Sequence, residues 1–166
     1  MSREEWLVDA SALLAAIHKE RGGDAVREVI DGSVISAVNW SEVLQKLEQA
    51  DIDREQVETA LKALGLKVIE FTGKDASIAA GLWKASRKLG LSFADRACLA
   101  AGLRMGRKVM TADRIWKTLD IGIEVWVIRE RIRLLAGERP CVAGMAGLRE
   151  VLQSGYRRGF GLRSSV

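Results

Sequence analysis

The chain of 166 residues holds one His, two Cys, one Pro, one Tyr and three Phe. The lone histidine, His18, sits in a helical stretch and reads as a surface or packing residue. That leaves no His-based triad, apart from an arrangement around that one side chain. Cys98 and Cys141 form no disulfide framework. Cys98 lies in an alanine-rich helical run and reads as a buried reduced thiol, which points to a reducing, cytoplasmic compartment. No apolar run approaches the roughly 18 residues that cross a bilayer, so no membrane segment is expected. The start, MSREEWLVDAS, is charged and runs straight into a strand-like segment, unlike a secretory signal. The glycines form no GxxxxGK[ST] phosphate loop. The five tryptophans, Trp6, Trp40, Trp83, Trp116 and Trp126, are scattered among apolar segments and read mostly as core or interface residues, not base-stacking platforms.

What is present is ordinary for one globular domain: 48% apolar and 29% charged residues over a length with some residues to spare. The net charge of +4 is unevenly placed. Residues 1–129 balance 19 basic against 19 acidic side chains, whereas 130–166 set seven Arg against three Glu and carry the whole excess. That C-terminal stretch has no Lys and no Asp, six of the 16 Gly and the only Pro, Pro140. It divides the chain into a domain, 1–129, and a basic Gly/Arg-rich extension, 130–166, partly flexible, with a short helix in LREVLQ. An appendage is the favoured reading of the extension; an arginine-rich RNA-contacting arm is the alternative.

The body alternates apolar runs with helical periodicity. Trp6-Leu7-Val8, Val34 to Ala37, Lys67 to Phe71, KVMT and IEVWVIR read as strands. SALLAAIHKE, DAVREVID, WSEVLQKLEQ, DREQVETALKALG, KDASIAAGLWKASRKLG, FADRACLAAGLRMG and ADRIWKTLD read as helices. Repeated β-then-α order predicts an α/β fold with a parallel sheet and right-handed crossovers.

Four acids stand where apolar segments give way to helices: Asp9, Glu42, Asp95 and Asp113. Ligands of open α/β sheets bind at the carboxyl ends of the strands. Like charges gathered there need a counter-charge. A hard cation with oxygen ligands, Mg²⁺ or Mn²⁺, supplies it. Such a cluster without a dedicated nucleophile fits metal-assisted phosphodiester hydrolysis. Each acid also has a plainer role. Asp9 and Asp113 can cap helices, Asp95 can form a capping box with Ser92, and Glu42 can favour the first turn of its helix beyond a polar cap such as Asn39 or Ser41. Ser11 and Thr111 can steer neighbouring carboxylates. Arg96 reads as an ion pair to Asp95 or as a phosphate contact.

DASALLA, the Glu of NWSEVLQKL, LSFADRACLAAG and VMTADRIW, in this order, resemble the PIN-domain ribonucleases, and among them the VapC toxins of type II toxin–antitoxin systems. The likeness covers about residues 5–129. It implies a three-layer α/β/α fold around a central parallel sheet and a Mg²⁺- or Mn²⁺-dependent endoribonuclease. It also implies a small antitoxin partner and frequent homodimerisation. Asp9 and Asp95 would be the main metal ligands, Glu42 and Asp113 would complete the acidic pocket, and Ser11 and Thr111 would support it. Cleavage of this kind leaves a 5′-phosphate and a 3′-hydroxyl. The extension 130–166 departs from the family's pattern. A phospho-receiver switch fits less well, because it wants an adjacent acidic pair after the first strand and a late Lys that IEVWVIR lacks. A catalytically weak PIN scaffold that binds RNA or protein is the remaining alternative.

Overall fold

The computed structural model describes residues 6–129, and the predicted LREVLQ helix and the basic extension lie outside them. Five short strands build one sheet: β1 (Trp6–Val8), β2 (Val34–Ser36), β3 (Lys67–Ile69), β4 (Lys108–Thr111) and β5 (Val125–Val127). All pairings are parallel, in the order β3-β2-β1-β4-β5. The strand-like segments of the sequence thus form a parallel sheet as expected, with β1 at its centre.

Strand alternation divides the core. Trp6 and Val8 of β1, Ile35 of β2 and Met110 of β4 face one layer, whereas Leu7, Val34 and Val109 face the other. Strands buried on both faces read as continuous apolar runs, which is why WLV, VIS and KVMT hold so little polarity. The first layer contains α1 (Ala10–Ile17), α2 (Gly23–Val29), α3 (Ala37–Gln49) and α4 (Arg54–Ala63). The second contains α5 (Gly73–Gly81), α6 (Trp83–Ser86) and α7 (Phe93–Met105), with Trp116 fully buried among them. The result is the three-layer α/β/α arrangement. Among the described residues, no helix is long and apolar enough to cross a membrane.

Three predicted elements differ. The single helix expected over KDASIAAGLWKASRKLG breaks into α5, α6 and a 3₁₀ turn, Arg87–Leu89, that ends at the left-handed Gly90. Gly81 weakens its middle, and Ser86 Oγ bonds back to the Leu82 carbonyl at 2.8 Å, a contact that bends helices. ADRIWKTLD forms only a 3₁₀ segment, Arg114–Thr118. WSEVLQKLEQ starts earlier than expected: Ser36 caps α3 by accepting from Val38 N, so Glu42 lies beyond the first turn.

Candidate functional site

Asp9 follows β1 directly and is the N-cap of α1, accepting from Ser11 N at 3.2 Å. The capping role and a place at the sheet's carboxyl edge are therefore one position. Its Oδ2 also accepts from the Ser11 hydroxyl and, at 3.1 Å, from Thr111 Oγ1 at the end of β4. Parallel register carries this contact: Val8 pairs with Met110, and Asp9 N donates to the Met110 carbonyl at 2.8 Å. The two hydroxyls lie 3.2 Å apart, Ser11 Oγ accepts from Ala112 N, and Thr111 Oγ1 accepts from Asp113 N. Ser11 and Thr111 thus tie the chain after β1 to the chain after β4.

Oδ1 of Asp9 is held differently. Asn39 Nδ2 donates to it at 3.1 Å and to the Ala94 carbonyl at 3.2 Å. Both partners are acceptors, so the amide orientation is fixed by chemistry. Asn39 is fully buried on α3 and links the end of β1 to the first turn of α7. Its own Oδ1 is buried with no hydrogen-bond partner. Sequence reasoning treats Asn39 only as a possible helix cap. The missed signal is spacing: Asn39 stands one turn before Glu42 and Val43, among the positions Trp40, Val43 and Leu47 that the helix buries.

Asp95 sits in α7, and its Oδ2 accepts from Ser92 N at 2.6 Å while Asp95 N donates to Ser92 Oγ, a full capping box. No strand lies between α5 and α7, so Asp95 does not end a βα unit as the sequence pattern suggested. Its helix N-terminus carries it to the sheet's edge instead. Arg96 does not take the predicted partner in the observed contact: its Nη1 donates to the Leu91 carbonyl at 2.9 Å.

Three of the four acids feel one another. Burial, opposed by the Ser11 hydrogen bond and reinforced by the Asp95 charge, pushes the Asp9 carboxyl up to about 6. Burial and then Asp95 raise Glu42, with Lys46 opposing. The buried Cys98 thiol is driven up by desolvation and by the charges of Asp9, Asp95 and Glu42, which therefore surround one end of α7. Asp113 is exposed, and its Oδ1 caps the following 3₁₀ segment by accepting from Ile115 N at 3.0 Å. Among the described residues no three Asp, Glu, His or Cys side chains are close enough to hold a metal ion between them. Mg²⁺ does not require that many, since it keeps several waters and takes one or two carboxylates. The donors here are hard oxygens, the Asp95 charge works against both Asp9 and Glu42, and Asn39 Oδ1 is a buried acceptor without a partner. The residues fit such a cation.

The PIN domain family model matches residues 6–122. Solved structures share the fold. A toxin–antitoxin complex from Klebsiella pneumoniae is 19% identical with a TM-score of 0.61, covering 75% of this chain and 98% of that one. VapBC2 from Rickettsia felis, bound to a DNA fragment from its promoter, is 13% identical with a TM-score of 0.59, covering 74% and 98%. A DNA-bound VapBC from Salmonella typhimurium is 14% identical with a TM-score of 0.58, covering 75% and 98%. Comparison with curated proteins found no match.

Proposed function

The chain belongs to the PIN domain family, and from the carboxylate centre it carries we propose that it is a metal-dependent endoribonuclease, the toxin of a toxin–antitoxin pair. The single observation that carries this reading is Asp9. A buried carboxylate, crowded by Asp95 and pushed up to about 6, is costly to keep ionised unless a cation joins it. PIN domains are generally nucleases, and the likeness to VapBC complexes supports the toxin role.

Asp9 and Asp95 would hold Mg²⁺ or Mn²⁺, with Glu42 beside them and Asp113 at the exposed margin. When bound, the cation would supply Lewis-acid polarisation of the phosphodiester and a more acidic water. The chain's own residues do the positioning. Ser11 and Thr111 fix one oxygen of Asp9, Asn39 fixes the other, and Ser92 fixes Asp95 Oδ2. The Asp95 carboxylate is thereby left with Oδ1 for a ligand. Glu42, whose carboxyl is raised by burial and by the Asp95 charge, holds its proton more readily than an ordinary glutamate and is the group beside the metal ligands placed to pass one on.

The test is cleavage of total cellular RNA with Mg²⁺, with Mn²⁺ and with EDTA, mapping the ends. Metal-dependent cuts leaving 5′-phosphates are expected, and they should vanish in Asp95→Asn. Cleavage in EDTA, or cyclic-phosphate ends, would overturn the reading. A second reading, a catalytically weak PIN scaffold, draws on the spacing of the acids, which lack a close trio among the described residues. It predicts RNA binding without cuts in any metal.

The partner proposal follows from the same charge. An uncompensated acidic pocket attracts an Arg, whose guanidinium would compete with the cation. A small antitoxin encoded nearby should copurify and suppress cleavage, and equal activity of complex and free toxin would exclude masking. A homodimer is proposed as the active form, checked by sedimentation.

A further inference from the structure

An acidic centre repels the polyanion it is proposed to cut, so the strand needs a grip elsewhere on the surface. Phe93, the first residue of α7 and two positions before Asp95, leaves 53% of its surface exposed. Its ring meets Phe71 edge to face, with centroids 5.6 Å apart and planes at 79°. Phe71 lies just beyond the carboxyl end of β3, so the pair stands on the same edge of the sheet as Asp9 and Asp95. Edge-to-face packing steadies a ring. Yet a half-exposed Phe gains little from burial, and the fold alone does not call for one here.

The stretch leading into Phe93 has matching chemistry. From Ala76 to Ala94 there is no acid, while Lys84, Arg87 and Lys88 are all exposed. Trp83 is 49% exposed, with the Arg87 guanidinium 5.0 Å from its ring centroid. Trp83 thus lies outside the core that Trp6, Trp40 and Trp116 share. Aromatic rings interleaved with cations are the surface of single-stranded nucleic-acid binding, where bases stack and cations follow the phosphates. A protein segment would want a continuous apolar patch, which these cations interrupt.

We infer that Phe93, steadied by Phe71, stacks on a base of single-stranded RNA beside the acidic centre, and that the basic stretch Trp83–Lys88 neutralises the strand's backbone. The inference rests on the reading of the acids as an RNA-cleaving centre, but it is tested by binding alone. Two fluorescein-labelled probes of about ten nucleotides, an oligouridylate and its abasic counterpart, are titrated by anisotropy against the full chain in Ca²⁺. Phe93→Leu should weaken oligouridylate binding about tenfold, the order of one lost base stack, and leave the abasic probe unchanged. Phe93→Tyr should bind both as the wild type does. Lys84→Gln, Arg87→Gln and Lys88→Gln together should flatten the salt dependence by about two, from about 0.7 per cation on a single strand. An unchanged Phe93→Leu, an equal loss on both probes, or a shift in sedimenting mass would overturn the inference; the last would mark Phe93 as a self-association contact. If oligouridylate binds through Phe93 yet RNA is never cut, stacking stands and the nuclease reading falls. Cleavage with affinity indifferent to Phe93 gives the reverse.

Discussion

Asp9 is where burial and charge pull hardest against each other. Unfolded, its carboxyl titrates near 3.8; folded and metal-free, near 6. Between those values the folded chain holds the extra proton, so this contribution to stability is complete below pH 4 and drains away as pH climbs to 6. Its size is about 3 kcal/mol, from 1.36 kcal/mol per unit. Thermal melts in EDTA should show that decline, Asp9→Asn should lack it, and Mg²⁺ should restore stability to the wild type at pH 7 but little to the variant. Ser11 and Thr111 were legible because they flank acids in the chain. Asn39 was not, because its partners, Asp9 and Ala94, lie 30 and 55 residues away. Asp113 was legible as a residue, but its exposed capping role was equally visible, and in the structure its carboxylate makes that contact. The sequence reads as two successive helices before β4, but that the N-terminus of the second brings Asp95 to the carboxyl edge of the sheet depends on packing that LSFADR does not encode.

Elements were easier to read than their ends. Apolar runs located β1, β2, β4 and β5, and alternation located the edge strand β3, where Lys67 and Val68 are exposed. Helix breaks were harder, because they depend on what packs nearby. Between α1 and α2, Gly22 and Gly23 permit a close approach of backbones. Gly22 has φ +88, and a Cβ on Gly23 would stand 2.3 Å from the Ala15 carbonyl oxygen, backbone against backbone. Gly23→Ala should therefore push α2 from α1 and cost about 1–3 kcal/mol, as overpacking does, visible as a lower urea midpoint. The pairing of α5 with α7 depends on charge. Arg104 donates to the fully buried Asp75 at 2.6 Å, and Thr72 caps the same carboxylate. Arg104→Ala strands that buried charge and should cost about 3 kcal/mol or more. Asp75→Asn in the same chain should recover part of the loss, because the stranded charge is gone; a double-mutant cycle by denaturant melts checks it.

At the scale of the molecule, the described residues 6–129 hold a five-stranded sheet with a helical layer on each face. A chain ending at Arg129 is expected to fold cooperatively, melt within a few degrees of the full chain and keep its cleavage of short RNAs. A truncated protein that aggregates or loses its oligomeric state would assign the C-terminal extension a structural part. One consequence of the strand order concerns time. Asp9 sits near the start of the chain, but its hydroxyl partner Thr111 follows 102 residues later, and β1 lies between β2 and β4. A chain emerging from the ribosome makes Asp9 early and leaves it without Thr111 until almost the whole domain has been synthesised. Domains generally fold as units, and pairings distant in sequence form late. A nascent or prematurely terminated copy that lacks β4 has Asp9 without its Thr111 partner, so under the proposed nuclease reading the centre is assembled only when the domain is nearly complete.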